Sequence, residues 1–389
     1  MPKSNKKNKP TKSIYLDFAA SYEPNPSSIH KLGVMGRGGL ESSRKNVADF
    51  LHARPKEIIF TSGGTEANNL AIQGLIKFAR RTNKLPHVIT TNIEHPSVLY
   101  TLDALQADNL IKLSIVPVEQ NGIVDVRKVK AAILPNTVLI SIMLANNEIG
   151  TIQPLAEIAK TLRHYKKQSG RNDIFLHTDA VQAVQYIQLD VHKMGVDMMT
   201  LSGTKVADSR GVGVLYKKDG VIIEPIMYGG KQENGLRPGT ENTKVILNMS
   251  KALSVITKNQ NKEVKRIEAL QKYFLQKILK SKILSECGVL LNGGMENRLP
   301  NNINITIPKI PSDLLVLELS ALGIMTSSKS ACESSDEAGS YVVKAVRPEI
   351  AKDIGGLRFS LGVNTKKEDL DFTVKSLEKI INKLKKWYY

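Results

Sequence analysis

The hydrophobic pattern between about residues 55 and 218 alternates between short runs rich in β-branched residues and longer stretches with helical periodicity. The runs that predict strands are "EIIFTS", "HVITTN", "KLSIVPV", "TVLISIML", "DIFLHTD", "MMTLS" and "GVGVLYK". The stretches that predict helices are 65–82, 96–107, 125–133 and 154–168. This alternation predicts an α/β fold with a mostly parallel sheet covered on both faces. "GVGVLYK" follows "MMTLS" without a helix between them, so it is the candidate for an antiparallel strand.

The pattern changes beyond residue 240. Residues 241 to 281 contain neither Pro nor Gly and predict one or two long helices. They are followed by "VLLNGG" and "NNINITI", a helix near 312–321, "LRFSLG" and a final helix from about 366. We therefore expect a basic disordered tail over 1–13, a large domain over 14–250 and a smaller α+β domain over 251–389. The N-terminal segment could join the small domain.

Composition and charge narrow the class of protein. Apolar residues are 41% and charged residues 24% of the 389 positions, as in an ordinary globular protein. No apolar run reaches the roughly 20 residues that span a bilayer, and the N-terminus lacks the apolar stretch of a secretory signal. Two cysteines without CxxC spacing exclude a disulfide framework and a cysteine-rich zinc site. We expect a cytoplasmic protein without a membrane partner.

The net charge of +18 is the unusual global property. Lysines are concentrated in the N-terminal tail, in residues 251 to 282 and near the C-terminus. Solvated helix faces and a disordered tail explain this charge most simply. The alternative interpretation is a basic surface that attracts acidic partners or RNA. Direct nucleic-acid binding is not expected, because no motif interleaves aromatic and basic residues.

The stretch "FTSGGTEANNLAI" (60–72) predicts a strand, a glycine turn and the start of a helix. Thr65 is the expected N-cap, with Asn68 at the third helical position. Backbone amides exposed at a helix N-terminus form an anion site. A tight turn with a well-capped helix is an equally good interpretation. The spacing is not that of a Walker A loop.

Two further polar groups follow predicted strands. Asp179 ends the strand of "LHTDAVQ", and Lys205 in "LSGTK" lies just beyond another strand. Ligands of open α/β sheets bind beyond the carboxyl ends of the strands. An anion site, a carboxylate and an amine at three such ends suit pyridoxal 5'-phosphate (PLP), with Lys205 as the Schiff-base lysine and Asp179 opposite the ring nitrogen.

With these residues in place, the chain resembles the cysteine desulfurases, which belong to the fold-type I PLP-dependent enzymes together with the class V aminotransferases. The stretches that match are "YLDFAAS", "NPSSIH", "EIIFTSGGTEANNLAI", "IEHPSVL", "LANNEIGTIQP", "HTDAVQAV", "LSGTK", "YGGKQENGLRPGTEN", "LPNNINI", "SSKSACESS" and "LRFSLG". They follow the order of the family from residue 14 to about 364. The resemblance implies a large domain with a mostly parallel seven-stranded sheet and a smaller α+β domain.

The resemblance also implies roles in binding PLP. His95 would stack on the ring, Asp179 would hold the pyridinium proton, and Gln182 would hydrogen-bond the phenolic oxygen. Asn146 would lie nearby. The residues implied to hold the phosphate are Gly64, Thr65, Ser202 and Thr204. Thr240 would reach the phosphate of a partner subunit, which implies a homodimer.

For the reaction, the resemblance implies desulfuration of L-cysteine to alanine. Arg358 and Asn25 would bind the substrate carboxylate, and Lys205 would take the Cα proton. Cys332 would attack the substrate sulfur and carry it as a persulfide. Lys329 could lower the pKa of this thiol. The "SSxSAC" pattern resembles the group linked to iron–sulfur cluster assembly and tRNA thiolation, so a sulfur-acceptor protein is an expected partner.

Cys287 and the remaining histidines have simpler interpretations. Cys287 precedes an apolar run and is expected to be a structural residue that is either packed or partly exposed. His177 lies on the same strand face as Asp179, which is consistent either with a core position or with a place near the site. The histidines show no HxxxH or HxH spacing, so no metal is expected.

The sequence departs from the family pattern near Lys205 and Cys332. Thr204 replaces a histidine, and "VADSRG" replaces the usual Gly-Pro after the lysine. Lys329 stands where the family commonly has a glycine, and "EAGS" replaces a proline-containing stretch after the cysteine. Between "YLDFAAS" and "NPSSIH" the chain is shorter than the family pattern by roughly a helix. Two alternatives therefore stay open. One is another fold-type I enzyme, either an aminotransferase or a selenocysteine lyase, and the other is a weakly active scaffold that binds sulfur-transfer partners.

Overall fold

The apolar runs form strands at the positions that the sequence predicts. The structure is a computed structural model that describes residues 14–22, 24–206, 209–328, 339–350 and 354–389. Its strands are β1 (Ile58–Thr61), β2 (His87–Thr91), β3 (Lys112–Val116), β4 (Thr137–Ser141), β5 (Phe175–Asp179), β6 (Met198–Ser202), β7 (Gly213–Lys217), β8 (Leu290–Leu291), β9 (Asn302–Thr306) and β10 (Leu357–Ser360).

Amphipathic stretches between the strands form the helices. They are α1 (Lys31–Leu51), α2 (Gly64–Ala79), α3 (Pro96–Ala107), α4 (Val126–Ala131), α5 (Leu155–Ser169), α6 (Val191–Met194), α7 (Thr243–Lys280), α8 (Lys282–Glu286), α9 (Ser312–Ala321), α10 (Tyr341–Val346) and α11 (Lys367–Tyr388). Short 3₁₀ turns occupy Pro55–Glu57, Gly203–Lys205 and Gln232–Gly235.

The large sheet joins seven strands of the described chain in the order β1-β7-β6-β5-β4-β2-β3. Strands β2 to β6 pair in parallel, whereas β7 pairs antiparallel with both β1 and β6. The predicted antiparallel strand "GVGVLYK" is therefore confirmed. Because β1 runs in the same direction as β6, the carboxyl ends of β1 and of β2 to β6 meet at one edge of the sheet.

Both faces of the large sheet are covered, which explains the continuous apolar runs of its strands. Ile58 and Phe60 of β1 pack in the core beneath α1 and α5, whereas Ile59 packs in the core beneath α2 and α3. In β6, Met199 packs in the core beneath α1 and α5, and Met198 packs in the core beneath α2 and α3. Successive side chains of one strand thus serve opposite faces.

A second sheet has the order β10-β9-β8 and is antiparallel. Helix α7 links the two cores, because Met249 and Leu253 pack in the large core and Ile267 and Phe274 pack in the small one. The boundary predicted at 250/251 falls inside this helix. Helix α10 also packs in the large core. The division into domains therefore stays a prediction.

Helix α1 is an element that the sequence pattern did not predict. Its stretch "GVMGRGGL" contains four glycines, which disfavour helices. Leu40, Val47, Ala48 and Leu51 nevertheless bury one face of the helix in the large core. Tertiary packing outweighs the weak local propensity here. Among the described residues, no helix combines the length and apolarity that would let it span a membrane.

Candidate functional site

A cavity of about 760 Å³ lies at the edge of the large sheet where the carboxyl ends of the strands meet. Its size is within the usual range for cofactor pockets. Nine residues predicted from the sequence line it, and these are Gly64, Thr65, His95, Asp179, Gln182, Ser202, Thr204, Lys205 and Arg358. Eight of them come from the large sheet and its connections, and Arg358 comes from β10 of the small sheet.

The turn after β1 supplies the anion-binding part of the cavity. Helix α2 begins at Gly64 with Gly63 as N-cap, and no side chain caps its first amides. The predicted N-cap Thr65 is wrong: Ala67 N already donates to Gly63 O at 3.1 Å, so the helix starts earlier and Thr65 is exposed at the second helical position. Ser202 and Thr204 place two hydroxyls 2.9 Å apart at the adjacent strand end.

Glu66 fixes this turn from the side. Its carboxylate accepts from Ser62 N at 2.7 Å and from Arg237 Nε at 3.0 Å. Burial alone would raise the pKa of Glu66, but the hydrogen bonds from Ser62 and Arg237 outweigh it and lower the pKa. A Cβ on Gly213 would lie 2.4 Å from the carbonyl carbon of Gly63, so β7 passes under the turn only with glycine there.

Asp179 is the buried end of a chain of hydrogen-bonded side chains. Its Oδ1 accepts from Val181 N at 2.9 Å, and its Oδ2 accepts from Asn68 Nδ2 at 2.7 Å. The same Asn68 amide donates to Ser97 Oγ at 2.8 Å. Ser97 Oγ lies 2.8 Å from His95 Nδ1. The carboxylate of Asp179 is thereby held in one orientation before any ligand binds.

His95 begins the same chain at the N-terminus of α3. Its Nδ1 accepts from Ser97 N at 3.1 Å. Burial lowers the pKa of His95, the charge of Asp179 opposes this, and the charge of Lys205 adds to it. The net lowering favours the neutral ring, and a neutral ring whose Nδ1 accepts carries its proton on Nε2.

Asn68 and Ser97 are functional candidates that the sequence reasoning missed. Asn68 is 1% exposed and lies on the apolar face of α2 beside Ala67 and Ala71. The signal for Asn68 in the sequence is a polar residue on a helix face that is otherwise apolar. For Ser97 the sequence offers no such signal, because a serine at the third residue of "HPS" is unremarkable at the start of a helix.

Lys205 ends the short turn that follows β6. Its side chain is exposed to the cavity, and its backbone oxygen accepts from Gln185 Nε2. A Cβ on Gly203 would lie 2.2 Å from Ser209 O, so this turn requires glycine at its first position. The turn therefore forms without the Gly-Pro that usually follows the lysine in the family that the sequence resembles.

Arg358 contributes a guanidinium from the opposite side of the cavity. Its Nη1 donates to Asn147 O at 2.9 Å, and its buried Nε has no hydrogen-bond partner among the described residues. Burial lowers the pKa of Arg358, and the charge of Glu148 opposes this. A buried donor without a partner is costly, so this group is suited to receive an anionic ligand.

The turn after β4 contains Asn146, which is not among the described residues that line the cavity. Asn146 is fully buried, donates to Ile93 O at 2.8 Å and accepts from Glu148 N at 2.8 Å, so its amide closes the turn. The neighbouring Asn147 lines the cavity instead, and its buried Oδ1 has no partner among the described residues. Two adjacent asparagines gave no sequence signal to distinguish these positions.

The wall near Arg358 is tied to α7. Arg266 donates to the carbonyl oxygens of Gly362 and Thr365, both at 2.9 Å, and it pairs with Glu263 at 2.7 Å. Gly362 lines the cavity. Helix α7 thus supports both the large core and the turn that follows β10.

Besides Asn146, two predicted residues, Asn25 and Thr240, are not among the described residues that line the cavity. Asn25 accepts from Ser27 N at 2.9 Å within its own turn. Thr240 is exposed in the chain that is described. Cys332 and Lys329 both belong to residues 329–338, which are outside the described residues.

The other cysteine and the core histidine have structural positions. Cys287 is buried in the small core, as predicted. His177 is fully buried between Ser141 and Thr200 and does not line the cavity, which agrees with a core position. Across the described residues, no group of three or more His, Cys, Asp or Glu could hold a metal ion.

The donors and acceptors of the cavity fit PLP. Asp179 is a fixed acceptor for a protonated ring nitrogen, because both of its oxygens are already oriented by Val181 and Asn68. The uncapped start of α2 and the hydroxyls of Ser202 and Thr204 suit a phosphate. Lys205 supplies a primary amine in the same cavity. All three groups that the cofactor requires are present.

Comparisons with known proteins agree with this site. The model of the aminotransferase class-V family matches residues 6–372. The chain is 41% identical to "Cysteine desulfurase IscS" of Dictyoglomus turgidum, over 96% of this chain and 95% of that protein. Among solved structures it is similar to a "NifS-like protein" (TM-score 0.83, 31% identity, 92% of each chain).

A further solved structure, "SspA in complex with cysteine", matches with a TM-score of 0.71 and 31% identity over 87% of this chain and 90% of that one. The family model covers most of the chain, and the relatives match it almost end to end. This chain therefore belongs to the class V aminotransferase family, with proteins named cysteine desulfurases among its relatives.

Proposed function

We propose that the protein is a PLP-dependent cysteine desulfurase, which converts L-cysteine to L-alanine and holds the released sulfur as a persulfide on Cys332. The observation that carries the proposal is the convergence of Asp179, Lys205 and Arg358 on one cavity. When bound, PLP supplies an aldehyde that condenses with an amine and a ring that withdraws electrons from the substrate Cα. The protein's own residues supply orientation, proton transfer and the sulfur acceptor.

The substrate carboxylate is assigned to Arg358. Its Nη1 donates to Asn147 O, which leaves the buried Nε without a partner among the described residues and available to an incoming carboxylate. A planar guanidinium matches two carboxylate oxygens at once, and such charge-assisted pairs are strong in a desolvated site. We assign Asn25 to the same carboxylate on the basis of the family resemblance alone.

Proton transfer is assigned to Lys205. Lys205 would hold the cofactor through its primary amine, and the same amine, once free, would remove the proton from the substrate Cα and later return one. Asp179 holds the proton of the ring nitrogen throughout, and Asn68 keeps its carboxylate aligned at 2.7 Å. His95, neutral at ordinary pH, offers its ring face and its Nε2 proton without adding charge.

The sulfur acceptor is assigned to Cys332. Its thiolate attacks the substrate sulfur, the new S–S bond forms as the Cβ–S bond breaks, and the electron pair left on carbon takes up a proton to give alanine. The described residues on either side of 329–338 support this assignment, because they contact the cavity residue Arg358 and Glu148, which follows the cavity residue Asn147. Ser327 pairs with Arg358 through both backbone hydrogen bonds, and Ser340 donates to Glu148 Oε2 at 2.5 Å.

We further propose a cytoplasmic homodimer that passes sulfur to a protein acceptor for iron–sulfur cluster assembly or tRNA thiolation. Thr240 would complete the phosphate site of the partner subunit. In support, Thr240 is exposed and follows the Arg237 side chain that braces Glu66 at the start of α2.

The test combines a spectrum with a product assay. Purified protein is supplied with PLP and L-cysteine, and alanine is measured together with the visible absorbance of lysine-bound PLP. We expect both signals in the native protein and in Lys84→Ala, an exposed control, and neither in Lys205→Ala. Keto-acid formation from an added amino donor would instead establish an aminotransferase. Absence of bound PLP in the native protein would favour a scaffold.

A further inference from the structure

The long helix α7 carries a continuous row of lysines on its solvent side. The row, called here the α7 lysine stripe, consists of Lys244, Lys251, Lys258, Lys262, Lys265 and Lys272. Successive members are separated by seven, seven, four, three and seven positions. These separations keep all six on one face of a helix with 3.6 residues per turn. The 28 positions from first to last correspond to about 42 Å at 1.5 Å per residue.

The α7 lysine stripe lies opposite the buried face of the helix. The buried residues Ile246, Met249 and Leu253 pack in the large core, and Ile267 and Phe274 pack in the small core. All six lysines are exposed. The packing of the helix therefore uses its other side and does not involve the charges on this face.

The charges of the stripe are not compensated within the described chain. Ion pairs of α7 use Arg266 with Glu263 and Lys277 with Asp371, and none involves a lysine of the stripe. Glu263 lies about 100° around the helix from Lys262. Glu268 lies beside the stripe, three positions after Lys265 and four before Lys272, but it forms no ion pair with either lysine in the described part of the chain. Six like charges on one face repel one another, which is unfavourable unless something acidic covers them.

Apolar side chains are interleaved with the lysines. Leu247 is 38% exposed and Val255 is 59% exposed, and both lie on the same side of α7 as the stripe. Between 244 and 272 the helix has no aromatic residue, and its one arginine, Arg266, is occupied by Glu263 and the turn of Gly362. Lysines can neutralise either phosphates or carboxylates, but single-stranded nucleic-acid surfaces add aromatic stacking, which this face lacks, whereas its exposed aliphatic side chains offer apolar contacts to a protein.

We propose that the α7 lysine stripe is a docking surface for an acidic protein partner, one that presents a row of carboxylates with aliphatic contacts between them. A second copy of this chain that presented the same stripe is a poor occupant, because it would meet the stripe with like charge. The proposal does not depend on the reaction, because the stripe lies on the outer face of α7 and none of its lysines lines the cavity.

The test measures binding of a defined probe. The probe is a labelled, helix-stabilised peptide with glutamates at the spacing of the stripe and leucines between them, and a scrambled peptide of equal composition serves as its control. A short RNA duplex is measured alongside. The stripe variant is Lys251→Glu, Lys258→Glu, Lys262→Glu and Lys265→Glu in one chain. The matched variant has the same charge change at exposed lysines elsewhere, Lys84→Glu, Lys130→Glu, Lys160→Glu and Lys375→Glu.

We expect the patterned peptide to bind the native protein and to lose about tenfold or more in affinity in the stripe variant at low salt, with a change of about twofold or less in the matched variant. Thermal melting confirms that both variants are folded. Equal losses in both variants would show a general charge effect and overturn the proposal. Tighter, stripe-dependent binding of the RNA duplex would assign the surface to RNA instead, and failure of the patterned peptide to bind better than the scrambled one would also overturn it.

Discussion

Two walls of the cavity differ in how completely the protein prepares them. The bonded wall, made of Asp179, Asn68, Ser97 and His95, is joined by side-chain hydrogen bonds of 2.7 to 2.8 Å. The open wall, made of Lys205 and Arg358, has an exposed amine and a buried Nε without a partner among the described residues.

The difference follows the demands of the chemistry. The bonded wall faces a group that remains in place, so its geometry can be fixed in advance by neighbours. The open wall must release and accept groups during each turnover, and internal hydrogen bonds there would compete with the substrate. We therefore expect substitutions in the bonded wall to change mainly kcat, and substitution of Arg358 in the open wall to change mainly substrate binding.

Asp179→Asn gives the largest effect expected from the bonded wall. The amide keeps the shape of the carboxylate but removes the charge that holds a ring proton, so alanine production should fall about 10²- to 10³-fold in kcat. Steady-state kinetics with saturating PLP measures this. Alanine production by Asp179→Asn at the native kcat would show that the charge of Asp179 is not needed for the reaction.

Arg358→Lys tests the open wall. A lysine cannot present two parallel donors to a carboxylate, so the KM for L-cysteine should rise about 10- to 100-fold with a smaller change in kcat. Arg347→Lys is the control, because Arg347 donates to Leu291 O in the same part of the chain and does not line the cavity. A fall in kcat at unchanged KM would contradict the difference between the two walls.

Asn68→Ala tests whether the bonded wall acts through alignment. The variant removes one donor to Asp179, so kcat should fall about tenfold while the KM for L-cysteine stays nearly constant. Asn69→Ala is a close control on the same helix, since Asn69 bonds to Thr65 O and Thr101 instead. Equal losses in the two variants would indicate a general effect on α2.

His177 provides a smaller, pH-dependent test of the core behind the bonded wall. Burial lowers the pKa of His177 to about 3, below the ordinary value of 6.5. Between these values the unfolded chain binds a proton that the folded chain does not, so the free energy of unfolding falls as the pH drops below 6.5, by up to about 1.4 kcal/mol per pH unit. Denaturant unfolding should show a flatter pH dependence in His177→Gln but not in His192→Gln. An unchanged slope in His177→Gln would refute this contribution.

The elements of the large sheet could be predicted because the signal is local. Each strand is an apolar run buried on both faces, and β7 was correctly singled out by the missing helix before it. Helix α1 was missed because its stability comes from packing against the large core rather than from its glycine-rich sequence. The start of α2 was misplaced because two glycines allow the first helical hydrogen bond to form at Gly63.

The positions of Asp179 and Lys205 could be predicted because both follow apolar runs that end at one sheet edge. The contact between Asn68 and Asp179 could not, since it joins positions 111 residues apart. The choice between Asn146 and Asn147 depends on which amide closes the turn, and that is decided by backbone geometry. The resemblance to cysteine desulfurases supplied the roles, whereas the structure supplies the hydrogen bonds between them.

The central claim is that sulfur leaves the substrate by attachment to Cys332. It is tested most directly by the intact mass of the protein after one turnover with L-cysteine, with PLP bound and no reductant present. One added sulfur atom is expected on the native chain, located at Cys332 by peptide mapping, and none is expected on Cys332→Ser, although that variant still binds PLP. Alanine formed at the native rate by Cys332→Ser, or sulfur attached to Cys287, would contradict the account.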